Sequence, residues 1–340
     1  MRRLASVLLA AALLAAAVPG TLGAARAKWD TRVLALVPRP GFPAHAYVHP
    51  NGRVYEGTYD NPAGDTSRSR VFEYTGGGTL LRSWTVAGQD LATAHGVQVA
   101  TSDARGRLVL LDKSPPRVLR IDLRTGRQST YATFPAGTVP NYAAWGPDGS
   151  LYVTDYENPV LWRVPPGGGK PVQWLTDPQL NGSMFGATGL QLLADHRTLL
   201  VGMQSEGGGG AGNPTTGRLL KVPIAAGGKP GKLTQLWESR PLDGPDGFAV
   251  ARSGTIYVAL LLANQIAELG ADGAEKERSP AGGSFDAPSS AQFLGRRLMV
   301  ANQAYFTGDA TKQAVLDVYV GEPGLKRLIP KSAGVARPHR

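Results

Sequence analysis

The chain has 340 residues, with 36 Lys and Arg against 26 Asp and Glu, a formal net charge of +10 and no cysteine. The lack of cysteine excludes disulfide scaffolds, zinc ribbons, thiol nucleophiles and an acylated cysteine anchor. With 42% apolar and 18% charged residues the chain is globular, and 44 Gly with 26 Pro suit a turn-rich fold rather than a helical one.

Arg2 and Arg3 open a basic segment, Leu4 to Val18 is apolar, and Ala25-Arg26-Ala27 offers a small-x-small cleavage site. An apolar run of 15 residues falls short of the about 20 needed to span a bilayer. The expectation is a signal peptide over 1–27, an exported protein with no transmembrane segment, a single domain over 28–330 and a basic flexible tail over 331–340. That last stretch shares its basic cluster (Lys326, Arg327, Lys331, Arg337 and Arg340) with the end of the domain. No basic stripe interleaved with aromatics points to nucleic acid.

Thr31 to Val37 is the first strand-like run, and a series of repeats follows it. Pro50-Asn-Gly-Arg-Val-Tyr-Glu-Gly-Thr-Tyr59 returns 97 residues later as Pro147-Asp-Gly-Ser-Leu-Tyr-Val-Thr-Asp-Tyr156. Between them lies Arg105-Gly-Arg-Leu-Val-Leu-Leu-Asp112. Later copies are Arg197–Met203, Ser253–Ala259 and Gly295–Asn302, giving six units. Each begins with a turn feeding a β-branched or aromatic run, the signature of a buried strand. Alternating strands come next at Arg70–Tyr74, Arg117–Ile121, Val160–Val164, Arg218–Val222, Gln265–Leu269 and Ala314–Tyr319, and most units add a further strand, as at Leu80–Val86 and Gln173–Leu175. Six helix-free units of three or four strands predict an all-β, six-bladed β-propeller, closed when the N-terminal strand at 31–37 completes the sixth blade.

A propeller brings equivalent residues of its blades to one mouth of a central channel. Taking the turn-fed runs as the inner strands, the positions just ahead are Ala44 (with His45 beside it), His95, Asn141, Thr188, Asp246, and Ser289 or Ser290. Polar groups converging from at least five blades describe a ligand or metal pocket. The competing reading is that Asn, Asp, Ser and Thr there simply satisfy turn amides. Asp112 and Asp155 end two of these runs and are expected to bond amides of the neighbouring blade, or else to line the channel. His49 and His196 are expected to be solvated in turns, and His339 lies in the tail. Gly207–Gly212 formally matches a dinucleotide fingerprint but leads into Asn213-Pro214 rather than a helix, so it reads as a loop.

Asn141-Tyr-Ala-Ala-Trp-Gly-Pro-Asp-Gly-Ser-Leu-Tyr-Val-Thr-Asp155 and Pro245-Asp-Gly-Phe-Ala-Val-Ala-Arg-Ser-Gly-Thr-Ile-Tyr-Val258 resemble blade signatures of the SMP-30/gluconolactonase/LRE family. The resemblance covers about residues 40–305. It implies six blades, an axial divalent metal, usually calcium, and hydrolysis of lactones or related esters. Carried over by position, the family's fifth-blade Asp matches Asp246 and its third-blade Asn matches Asn141. Its fourth-blade Asn falls on Thr188, and its first-blade Glu on Ala44. Glu56 aligns within a strand and is expected to face away from the axis.

Calcium takes six to eight oxygens and loses affinity as carboxylates are lost, so this set would hold calcium weakly, hold a transition metal with help from His95 or His45, or hold none. The reading is a monomeric hydrolase of a small-molecule lactone or ester. Asp246 is its catalytic base and metal ligand, Asn141 a metal or substrate ligand, and Thr188 and His95 are substrate-binding groups. The alternative is a non-catalytic propeller binding a ligand or partner at the same face.

Overall fold

A computed structural model describes residues 25–59, 64–183, 185–206 and 215–332. The proposed signal peptide therefore lies outside the described residues except for its last positions. Of these, Arg26 pairs with Asp30 and Asp317.

The alternation read from the sequence builds six four-stranded antiparallel sheets. From the axis outward, blade 1 is β2 (Tyr47–Val48), β3 (Val54–Gly57), β4 (Arg70–Tyr74) and β5 (Leu80–Thr85). Blade 2 is β6 (Val97–Ser102), β7 (Leu108–Lys113), β8 (Pro116–Ile121) and β9 (Gln128–Thr133). Blade 3 is β10 (Pro140–Trp145), β11 (Leu151–Asp155), β12 (Val160–Val164) and β13 (Val172–Thr176). Blade 4 is β14 (Ala187–Leu192), β15 (Thr198–Met203), β16 (Arg218–Pro223) and β17 (Thr234–Glu238). Blade 5 is β18 (Pro245–Val250), β19 (Ile256–Leu260), β20 (Gln265–Leu269) and β21 (Glu275–Arg278). Blade 6 is β22 (Pro288–Leu294), β23 (Arg297–Asn302) and β24 (Ala314–Tyr319), and β1 (Thr31–Leu36) completes it from the N-terminal side, Thr31 pairing with Val318. The ring is thus closed by the expected strand. Among the described residues, no helix is long and apolar enough to cross a membrane.

One expectation is corrected. The turn-fed runs are the second strand of each blade, and the innermost strand is the one that precedes the turn. The turns themselves are as read: Gly149 takes φ +85°, and Asp148 Oδ1 accepts the Ser150 N–H at 3.0 Å. Apolar side chains fill the seams between blades. Tyr142, Tyr152, Leu190, Val201 and Met203 pack between blades 3 and 4, and Trp145 donates its indole N–H to Ser102 O of blade 2 at 2.8 Å. Full burial of each large apolar side chain is worth about 1.5–3 kcal/mol, so closing the ring, not any single sheet, carries the stability.

The strands leave two mouths. At the lower one, residues 323–332 cross beneath the ring: Leu325 N donates to Val250 O at 2.9 Å, Leu328 and Ile329 pack under blades 2–4, and Ser332 reaches Asp148. Residues 323–332 are thus anchored, and the expected flexible tail lies outside the described residues beyond position 332. The upper mouth opens into a cavity of about 360 Å³.

Candidate functional site at the upper mouth

The upper end of the innermost strands is irregular in a repeated way. In blades 3, 4 and 5 two residues on the innermost strand face one on its neighbour, between Pro140 and Ala143, Ala187 and Leu190, and Pro245 and Phe248. A related slip falls between Pro288 and Ser290 in blade 6. Asn141, Thr188, Asp246 and Ser289 each sit inside such a bulge. A bulge breaks the in–out alternation of a strand and re-aims a side chain. The candidate residues of these four blades are therefore parts of the innermost strands, not of loops ahead of them.

Asn141 and Asp246 meet at the same cavity, and Gln98 of β6 joins them there. All three are at least nine-tenths buried. Asp246 is the only acid among them, and burial pushes its carboxyl well above the usual carboxylate range. Its side-chain partner is the Tyr142 hydroxyl. That contact opposes the upward shift without cancelling it, and the same hydroxyl donates to Ser289 O at 2.7 Å. Gly247 makes room for this contact, since a Cβ there would stand 2.2 Å from the Tyr142 oxygen. The carbonyl oxygens of Asn141 and Gln98 are buried without a partner, an unusual cost in a folded protein.

Other candidates are placed differently. Thr188 is fully buried and donates its hydroxyl to Asp246 O at 3.2 Å, so it braces the Asp246 backbone. The His95 ring is also buried, its nitrogens 3.1 Å from Thr93 O and 2.8 Å from Ser67 O, and it does not line the cavity. His45 lies below the floor with its ring 4.5 Å from Tyr142, and burial, then Arg327, holds its pKa well below the ordinary value. Ser289 and Ser290 bond Ala44 O and the Ala46 N–H. Glu56 turns from the mouth: its Oε1 accepts the N–H groups of Ala44, His45 and Gly57, and burial raises its carboxyl to about 8. Asp155 collects the N–H groups of Val139, Glu157 and Asn158, while Asp112 is held by Gln89 and Arg117. His49 is buried rather than solvated, against Gly106 O.

The donor set does not fit a divalent metal. The first-blade position offers only the Ala44 methyl, the Thr188 hydroxyl donates to a carbonyl, and Glu56, which does not line the cavity, has Oε1 on backbone amides while its Oε2 is buried without a partner. What lines the cavity is the Asp246 and Glu157 carboxyls and the amides of Gln98, Asn141, Gln204 and Gln303, with the Lys113 ammonium beside them. Among the described residues, no three His, Cys, Asp or Glu side chains group to hold a metal.

Several lining residues were missed. The residue closing or just following the second strand of a blade forms the cavity wall: Lys113, Tyr156, Gln204, Leu261 and Gln303, with Tyr59 in blade 1. These occupy equivalent places in the repeats, so aligning strand ends as well as strand starts would have found them. Above them stand Phe42, Phe185, Tyr305 and Phe306.

No protein-family model matches the chain, and no curated protein matches it significantly. Solved structures do. A gluconolactonase from Xanthomonas campestris aligns over 86% of this chain and 91% of its own, with TM-score 0.61 and 19% identity. A calcium-binding regucalcin from Agrobacterium tumefaciens aligns over 89% and 97%, with TM-score 0.63 and 16% identity. A virginiamycin B lyase from Staphylococcus aureus aligns over 86% and 99%, with TM-score 0.56 and 15% identity. The chain has the six-bladed propeller fold shared by gluconolactonase- and regucalcin-like proteins.

Proposed function

We propose that the chain is an exported hydrolase of a small lactone or ester, acting at the upper mouth. One observation carries this reading: a lone buried carboxyl of raised pKa, Asp246, lies beside unpartnered amides at the floor of an open cavity. The gluconolactonase among the structural neighbours supports the reaction class. Once its proton has left, Asp246 takes a proton from the attacking water and returns it to the leaving oxygen as the ring opens. Asn141 and Gln98 orient the substrate. Lys113, its ammonium 4.4 Å from the Tyr59 ring centroid, lines the cavity and is the cation nearest to charge developing on the carbonyl oxygen. No step passes through a metal.

The test is a panel of lactones and aryl esters on wild type and Asp246→Ala. The variant should lose roughly 10²–10⁴-fold in kcat/KM, the usual worth of an acid–base group. Wild-type kcat/KM should rise with pH as Asp246 loses its proton. Equal rates in both proteins would remove the proposal. The absence of ligands at positions 44 and 188 favours a second reading, a propeller that binds without catalysis. Saturable binding of panel compounds with no turnover would select it.

A further inference from the structure

The cavity departs from the metal pattern of the proteins it resembles, and what stands there instead has its own chemistry. Two aromatic groups flank the opening. On the side of blades 6 and 1, Phe42, Tyr305 and Phe306 form an edge-to-face chain with ring centroids 5.1 and 5.2 Å apart. On the side of blades 3 and 4, Tyr156 and Phe185 stack at 5.7 Å, with Tyr156 fixed by its hydroxyl on Gln204 at 2.7 Å. In a ring of six these two seams are opposite each other. Tyr305 and Phe306 are 45% and 59% exposed, a large apolar surface to leave in water at the edge of a cavity. The floor between them holds two buried amide oxygens without donors, those of Gln98 and Asn141.

Aromatic walls recognise flat or apolar rings, and buried unpartnered acceptors recognise an N–H or O–H group. A divalent ion would gain nothing from the aromatic walls, would share the cavity with Lys113, and would find only Asp246 and Glu157 as carboxylates there, with no cluster of three His, Cys, Asp or Glu among the described residues. We propose that the upper cavity is a metal-free site for an uncharged ligand that pairs an aromatic ring with a hydrogen-bond donor. The ring lies between the Phe42–Tyr305–Phe306 and Tyr156–Phe185 walls, and the donor points to Gln98 and Asn141. The inference deepens the lactone or ester reading and rests on it for the reacting group.

The experiment has a metal arm and a ligand arm. Purified protein is analysed for metal content, treated with chelator and melted with and without calcium, manganese or zinc. Binding of 7-hydroxy-3,4-dihydrocoumarin, 3,4-dihydrocoumarin and glucono-1,5-lactone is then measured by calorimetry. The expected result is no stoichiometric metal and no metal-dependent rise in melting temperature. The hydroxylated aryl lactone should bind about tenfold tighter than either comparator, the scale of one hydrogen bond or one ring contact. Phe306→Ala should weaken it severalfold with an unchanged melting temperature, and Gln98→Leu should erase the preference for the hydroxyl without loss of stability. Stoichiometric metal whose stabilisation vanishes in Asp246→Asn would overturn the inference. So would tighter binding of the sugar lactone, or indifference to Phe306→Ala. If the aryl lactone binds and is not opened, the hydrolase reading fails and the site assignment stands. Turnover that needs added metal leaves the hydrolase and removes this inference.

Discussion

The two mouths of the channel are made from opposite ends of the same innermost strands, yet they are built for different work. At the lower mouth residues 323–332 pass beneath the blades and line a cavity of about 790 Å³ with Tyr47, Gln191 and Gln292, Gly324 bridges to Ala251, and Arg327 points up toward Tyr47 and Tyr142. At the upper mouth nothing among the described residues closes the cavity, and the strands are bulged at Asn141, Thr188, Asp246 and Ser289. In blades 3 to 6 irregular pairing at the upper end sets polar side chains where regular pleating would not put them, while in blade 2 the bulge falls lower, between Val99 and Thr101. The proposed site rests on that difference.

That contrast makes graded claims. Removing residues 323–340 should cost the most stability, a few kcal/mol, because the partly buried Leu325, Leu328 and Ile329 each contribute a fraction of the about 1.5–3 kcal/mol of a fully buried side chain. Activity per folded molecule should stay within about threefold. Denaturant melts and active-site titration separate the two, and activity lost in the folded fraction would tie the segment to the site.

Glu56→Gln comes next, read through pH. The Glu56 carboxyl keeps its proton in the folded chain up to about 8, against an ordinary value of 4.5. The unfolded chain therefore binds fewer protons between these values, and wild-type stability falls as pH rises through that window. Glutamine keeps an acceptor for the three N–H groups and carries no charge to desolvate. The variant should match wild type near pH 4.5 and exceed it at pH 8 by a few kcal/mol at most. A gap independent of pH would mean that Glu56 is ionised in the fold.

Gly247→Ala should cost about 1–3 kcal/mol by crowding the Tyr142 hydroxyl, and should weaken ligand binding at the upper mouth alone. Thr188→Val should have the smallest effect, about 1 kcal/mol for one hydrogen bond to Asp246 O. A much larger loss of activity in Thr188→Val than in stability would make its hydroxyl a substrate group rather than a brace.

The fold could be read from the residues because each blade repeats its own turn chemistry, as in Pro50-Asn-Gly and Pro147-Asp-Gly, and because a spare strand at 31–36 stood ready to close the ring. The site could be read only in part. Asn141 and Asp246 followed from aligning repeats. Gln98 does not, because it sits on an innermost strand that the turn-fed repeats leave out, and Gln204 and Gln303 do not, because they follow strand ends whose residue types differ from blade to blade. His95 looked available because its partners, the Thr93 and Ser67 carbonyls, are backbone atoms of loops that leave no mark in side-chain identity. Glu56 is the converse case: an acid in an apolar strand whose partners are three N–H groups.

The most direct measurement compares one variant at each mouth. With both proteins shown to be folded, kcat/KM for the best lactone or ester of the panel is measured for Asp246→Ala and Arg327→Ala. The account expects a loss of about 100-fold or more in the first and less than about threefold in the second. A large loss in Arg327→Ala with Asp246→Ala near wild type would place the chemistry at the lower mouth and contradict it.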